Sequence, residues 1–345
     1  MIKALSLFAG GGIGETYLRE IGIDTVIANE LLPERAEIHK FRFPKTDVII
    51  GDIKKKKDEI IEKSLENKVE LIIATPPCQG MSNLGRRDYE NDQRNFLIFD
   101  VFDIIDAVNP NYIFIENVPK FLEMYYPYDN NIEILTDILN KKYGNEYEIK
   151  YGVYNAADYG VPQIRKRALV RLWKKSLKWD EPNTQQHITL EKAIGHLPSV
   201  ESGEISGIPY HNGPKHSQKH IDVLKHTPTG CSAHDNEVWY PKKDDGTRVK
   251  GYHNTYSRLH WDKVCPTRTM NSGSVSGSNN CHPGRRLEDG TYSDARTFTL
   301  LELFIVTSLP EDIKLPENIS EKLIREIIGE GIPPLMSKAF LEKIM

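Results

Sequence analysis

Cys78 stands in Thr75-Pro76-Pro77-Cys78-Gln79-Gly80, directly after the apolar run Leu71, Ile72, Ile73, Ala74. A cysteine at the carboxyl end of a buried strand lies where open α/β sheets form their ligand crevice, so Cys78 is a candidate nucleophile. A second chemical group follows the run Tyr112-Ile113-Phe114-Ile115, which leads into Glu116-Asn117-Val118. Burial disfavours the ionised form of a carboxyl, which makes Glu116 a candidate general acid. Further on, Gln163-Ile164-Arg165-Lys166-Arg167 precedes another apolar run, and strand alternation would set Arg165 and Arg167 on one face, suited to an anionic or carbonyl-bearing substrate.

A ligand loop is written at the start of the chain, in Phe8-Ala9-Gly10-Gly11-Gly12-Ile13-Gly14. Glycines allow a tight turn and close approach of backbone to a ligand, and a helix beginning there would offer free N–H groups. The second strand ends in Asn29-Glu30, at the spacing from which an acidic side chain meets a ribose diol. Asp52-Ile53, after the third strand, could flank an adenine: the carboxylate accepts from the exocyclic amine and the isoleucine packs on the ring. A nucleoside cofactor is expected, and the glycine run alone fits a dinucleotide or an adenosyl sulfonium equally.

These groups need a scaffold. Strand-like runs at Ala4–Phe8, Thr25–Ala28, Val48–Ile50, Leu71–Ala74, Tyr112–Ile115, Ile149–Tyr154 and Ala168–Trp173 alternate with helical patterns at Ile13–Ile21, Arg35–Phe41, Asp58–Leu65, Phe96–Val108 and Ile132–Tyr143. The alternation predicts an α/β fold with a doubly wound, mainly parallel sheet. After residue 182 the texture changes to short polar segments broken by glycine and proline, and ten of the eleven histidines fall between His187 and His282. A smaller irregular domain over 183–321 is expected, with 322–345 returning to the first domain.

The chain has 345 residues, ample for two domains, and its formal net charge of −4 confines any nucleic-acid surface to a local patch. Cys78, Cys231, Cys265 and Cys281 are scattered without a Cys-x-x-Cys pair, so reduced thiols are expected and neither a disulfide framework nor a metal site. The polar stretch 183–290 holds 13 Lys and Arg against 11 Asp and Glu; Asn212, Lys215, Gln218, Lys219, Lys242, Lys243, Arg248, Lys250 and Arg258 could contact phosphates or base edges there. No apolar run could span a bilayer, and the opening Ile2–Phe8 strand leaves no room for a signal peptide, so a cytoplasmic location is expected.

Taken together, Phe8-Ala9-Gly10 with Gly12, Glu30, Asp52-Ile53, Pro77-Cys78-Gln79, Glu116-Asn117-Val118, Gln163 with Arg165 and Arg167, and Gly329-Glu330-Gly331-Ile332-Pro333-Pro334 resemble the DNA (cytosine-5) methyltransferases in the order of the family's elements. Ile13 and Glu330 depart from the family pattern. The resemblance implies a Rossmann-like domain that binds S-adenosyl-L-methionine through Phe8, Ala9, Gly10, Gly12, Glu30, Asp52, Ile53, Pro77 and Leu97. It implies that Cys78 adds to carbon-6 of a flipped-out cytosine in double-stranded DNA, that Glu116 serves ring nitrogen 3, that Arg167 lies near the cytosine carbonyl, and that Arg165 lies near the cysteine and the sugar-phosphate. It further implies a target-recognition domain, a monomer and no metal, and leaves open whether a cognate restriction endonuclease acts separately; no membrane partner is expected. The alternatives are the tRNA-modifying branch of the family, whose Cys-Phe-Thr tripeptide is missing, and a DNA-binding relative without activity. A nicotinamide-dependent dehydrogenase would leave the cysteine and glutamate motifs unexplained.

Overall fold

A computed structural model describes residues 1–77 and 93–344. By contacts the chain divides into two units: the first comprises residues 1–159, 166–183 and 334–345, the second 160–165 and 184–333.

The first unit is built on β1 (Ile2–Leu7), β2 (Ile23–Glu30), α1 (Pro33–Arg42), β3 (Asp47–Ile50), α2 (Ile53–Asn67), β4 (Leu71–Ala74), α3 (Leu97–Val108), β5 (Tyr112–Asn117), β6 (Tyr125–Tyr128), β7 (Asn131–Ile134), α4 (Leu135–Tyr143), β8 (Tyr147–Asn155) and β9 (Lys166–Lys174). Seven of the strands form one sheet in the order β3-β2-β1-β4-β5-β9-β8. Pairings among the first five are parallel, while β9 runs antiparallel to both β5 and β8. β4 and β5 are buried at every residue, which accounts for the apolar runs Leu71–Ala74 and Tyr112–Ile115: a central strand is covered on both faces. The strand order reverses at β1, which pairs with β2 on one side and β4 on the other, and crevices form at the carboxyl ends of such strands.

Two elements differ from expectation. Ile13–Ile21 is not an α-helix but two 3-10 turns, Ile13–Glu15 and Leu18–Ile21, because Gly12 is left-handed at its entry (φ 67°) and Gly22 at its exit (φ 80°). Ile132 belongs to the hairpin strand β7, not to α4, because Asp129 and Asn130 both adopt positive φ (48° and 61°) and reverse the chain.

The second unit contains the short helices α5 (Leu190–Ile194), α6 (Gln218–Lys225), α7 (Leu300–Val306) and α8 (Glu321–Glu330). Its described strand pairing is limited to isolated bridges such as Ser232 with Ser257 and Cys281 with Thr297. Buried arginines take over the satisfaction of backbone carbonyls. Arg258 donates to Leu224, His282 and Asp294; Arg268 to Pro266 and Asn279; Arg296 to Val200 and Thr297. Such cross-links matter because an unpaired carbonyl in a core forfeits about 1–3 kcal/mol. Arg258 is thereby committed to the core and is removed from the set of phosphate contacts.

Residues 322–333, assigned above to the first domain, pack within the second unit. Arg325 of α8 donates to the Phe298 carbonyl at 2.7 Å, and a Cβ on Gly329 would stand 2.3 Å from the Met270 nitrogen, so this helix lies directly on the 269–270 backbone.

Candidate active site

The carboxyl ends of β1, β4 and β5 bring three sequence motifs to one edge of the sheet. After β1, Phe8 takes φ 60°, Gly10 φ 56° and Gly12 φ 67°, forming a tight loop. Ala9 N donates to Asn29 O at 2.9 Å, tying the loop to the end of β2. The buried Glu30 grips the loop itself, since one carboxylate oxygen accepts from Gly10 N at 2.8 Å and the other from Leu32 N at 2.9 Å. Each oxygen keeps a further lone pair for a ligand. A Cβ on Gly10 would meet nothing within 4 Å, so backbone there is open to close approach.

Asp52 caps α2, accepting from Lys54 N at 3.0 Å, and Ile53 begins that helix 3% exposed in the core. Leu97, half-buried, begins α3. Thr75 bridges β4 to the glycine loop: its N–H donates to Leu7 O at 3.2 Å and its hydroxyl to Phe8 O at 3.1 Å. Pro76 and Pro77 follow; Cys78 lies outside the described residues.

Glu116 and Asn117 end β5. The Asn117 amide donates to Pro76 O at 3.0 Å while its oxygen accepts from Val118 N at 2.8 Å. The segment leading to Cys78 is therefore fastened to the strand that carries Glu116, a tie that the motif names but whose role only the geometry reveals. Glu116 pairs with Leu169 in the β5–β9 register, which makes Arg167 its diagonal neighbour on the same face; Arg167 Nε stands 2.8 Å from a Glu116 oxygen, both side chains largely buried.

Arg165 lies just before β9, and the cysteine it was expected to neighbour lies outside the described residues. β9 starts at Lys166, so strand alternation does not extend to Arg165, whose guanidinium donates to the carbonyls of Arg268 (2.9 Å), Gly329 (2.8 Å), Glu330 (3.2 Å) and Gly331 (3.1 Å) within the second unit. Gln163 stands beside this cluster, accepting from Arg268 N at 3.0 Å and donating to Val306 O at 3.2 Å. Among the described residues no group of three or more His, Cys, Asp or Glu could hold a metal ion, and no helix is long and apolar enough to cross a membrane.

Below the glycine loop lies a pair that sequence reading passes over: His39 of α1 is fully buried with Nε2 3.2 Å from both oxygens of Glu15. Only its position one face-turn before Arg42 and Phe43 could have signalled it.

Comparison with known proteins identifies the family. The family model of C-5 cytosine-specific DNA methylases matches residues 2–345. Type II methyltransferase M1.HgaI of Avibacterium volantium is 46% identical, with 99% of this chain and 98% of that protein covered. Type II methyltransferase M1.HphI of Haemophilus parahaemolyticus is 27% identical over 99% of this chain and 86% of its own length. A crystal structure described as that of a DNA modification methyltransferase encoded within an E. coli prophage superposes with a TM-score of 0.73 at 20% identity, covering 99% of this chain and 98% of that one, which establishes the Rossmann-like fold. The chain belongs to the C-5 cytosine-specific DNA methylases and is a DNA (cytosine-5-)-methyltransferase of the restriction-modification type.

Proposed function

We propose that the enzyme uses S-adenosyl-L-methionine to methylate carbon-5 of a cytosine flipped out of double-stranded DNA, through a covalent adduct with Cys78. The observation that carries this reading is the bonded set at the end of β5: Glu116 ion-paired with Arg167, and the adjacent Asn117 holding Pro76, two residues before the cysteine. The cofactor fits the loop, where Gly10 leaves open space over its backbone and Glu30 retains acceptor capacity; Phe8, Ala9, Gly10, Gly12, Glu30, Asp52, Ile53, Pro77 and Leu97 would hold it. When bound it supplies an electrophilic methyl group.

Carbon-5 of cytosine is a weak nucleophile, and the chain's residues make it a strong one. The Cys78 thiolate adds to carbon-6, pushing an electron pair toward ring nitrogen 3, which takes a proton from the acid form of Glu116. Arg167 stabilises the carboxylate left behind and orients it. Once carbon-5 carries the methyl group, water removes its proton, the electron pair expels the Cys78 sulfur as thiolate, and nitrogen 3 returns its proton to Glu116. Attack on carbon-6 requires the base outside the helical stack.

The division of labour follows the two units: the first does the chemistry, and the second, with Lys242, Lys243, Arg248 and Lys250 exposed, selects the DNA site. The enzyme works as a monomer in the cytoplasm, and a restriction endonuclease acts separately on the same site.

DNA bearing 5-fluorocytosine tests the mechanism, because fluorine cannot leave as a proton does and the adduct is trapped. With cofactor present, a denaturation-resistant complex should form and peptide mapping should find the DNA on Cys78. An adduct of equal yield in Cys78→Ser would refute the assignment.

A further inference from the structure

We propose that the buried Glu15–His39 pair, backed by Arg42, holds the glycine loop in its cofactor-binding shape, making His39 a positioning residue for the methyl donor. The proposal rests on the reading that this loop binds S-adenosyl-L-methionine.

The loop has little support of its own. Phe8, Gly10 and Gly12 all have positive φ, a backbone bond from Gly12 N to Ala9 O at 2.9 Å closes the turn, and a 3-10 turn of three residues follows where an α-helix would have anchored it. Glu30 fastens the loop at Gly10. The other side is held by the end of α1, where His39 and Arg42 share a face at i, i+3 and Phe43 caps the helix.

Each of these three makes a distinct contact. His39 Nε2 is equidistant, at 3.2 Å, from the two Glu15 oxygens. Arg42 donates to Gly11 O at 2.7 Å and to the Thr16 hydroxyl at 2.8 Å, reaching both sides of Gly12. Phe43 occupies the place a Cβ on Gly12 would need, 2.5 Å from it, and packs on the His39 ring with centroids 5.1 Å apart.

Burial would push the Glu15 carboxyl up, yet it is held below the usual carboxylate range by the charge of His39 and by hydrogen bonds from His39, Ser6 and Thr25. The ionised Glu15 is thus fixed from β1, β2 and α1 together. A buried polar pair adds little net stability compared with an apolar pair of similar size, so stability does not account for it. What directed charge-assisted bonds do supply is a single orientation for Glu15 and hence for the turn that carries Gly12.

The test uses the full chain and S-adenosylhomocysteine as calorimetric probe. His39→Leu should weaken probe binding by about tenfold or more, with turnover at saturating cofactor preserved, because the loop and not the reacting groups is disturbed. His39→Leu leaves a buried charge unpaired, so the double variant Glu15→Leu with His39→Leu is made alongside; its thermal stability should return toward wild type while probe affinity stays low. Wild-type affinity in either variant overturns the proposal. A wild-type protein that binds no S-adenosylhomocysteine instead removes the cofactor reading on which it stands.

Discussion

His282 is fully buried among charges in the second unit, and lowering the pH from 7 to 5 should for that reason destabilise this unit by about 2 kcal/mol. Its Nδ1 accepts from Gly284 N at 3.1 Å and lies 3.8 Å from an Asp294 oxygen, while Nε2 faces a Glu302 oxygen at 3.5 Å. Arg296 already serves both carboxylates, at 2.7 Å to Asp294 and 2.8 and 2.9 Å to Glu302, so a second cation would find its partners taken. Burial accordingly pushes the His282 imidazole down to about 4; Glu302 and Asp294 oppose the shift, and Arg296 and Arg258 add to it.

The folded state therefore binds fewer protons than the unfolded chain between pH 6.5 and 4, and stability is fully present above 6.5 and lost as the pH falls. At pH 5 the unfolded imidazole is nearly all protonated and the folded one about one-tenth, which integrates to about 2 kcal/mol relative to pH 7. Glu302, held near 2 against burial by Arg296, and Asp294, held lower still against burial by His282 and Arg296, act only below the ordinary carboxylate range. His216, pushed to about 4 mainly by burial with help from His220 and Arg325, adds in the same direction as His282. Hydrogen-exchange protection of peptides over 281–302, corrected for the intrinsic pH dependence of exchange, measures the effect. His282→Gln can still accept from Gly284 but cannot titrate, and should lose about half of the acid sensitivity. Equal pH dependence in variant and wild type would refute the reasoning.

Glu116→Gln keeps a hydrogen bond but delivers no proton, so turnover should fall by about a hundredfold, on the order of 3 kcal/mol, while calorimetric S-adenosylhomocysteine affinity stays within about twofold. Asn117→Ala orphans the Pro76 carbonyl; thermal melts should show a loss of about 1–3 kcal/mol, and turnover should drop further than cofactor affinity because the tie to the cysteine segment is cut. Gly12→Ala forces a Cβ to 2.5 Å from the Phe43 ring at φ 67° and should abolish calorimetric cofactor binding before it abolishes folding. Exchanging residues 190–270 for those of a relative should change which plasmid cytosines resist bisulfite conversion and leave cofactor binding intact.

The sequence exposes what is periodic or dense in special residues. All seven strands of the main sheet were legible because Leu71–Ala74 and Tyr112–Ile115 are continuous apolar runs and the others carry enough β-branched and aromatic residues between glycine, proline and asparagine breaks. The hairpin at Asp129-Asn130 was missed although that doublet marks a reversal, since the apolar spacing of Ile132, Leu135 and Leu139 reads equally well as a helix. Glu116 and Arg167 were each legible as motif residues, but their pairing was not, because it depends on the end of β5 running antiparallel beside the start of β9.

Arg165 and the second unit were harder for a physical reason. A strand or helix writes its hydrogen bonds into a local period of two or 3.6 residues, but a guanidinium can satisfy carbonyls anywhere in the chain. From position 165 one side chain gathers carbonyls at 268, 329, 330 and 331, and from position 258 another gathers them at 224, 282 and 294. Such an arginine reads in sequence as one more surface cation, which is how Arg258 was assigned to phosphate or base contacts, whereas Arg165 drew its role from alternation with Arg167 and from the family resemblance. The same linkage explains why α8 packs in the second unit despite an ordinary amphipathic pattern. Arg325 fixes it to Phe298, and Gly329 lets it approach the 269–270 backbone closely enough for Arg165 to reach the carbonyls at the helix end. An irregular domain of this kind is held by a few long-range donors, so its boundaries follow those donors and not the texture of the sequence between them.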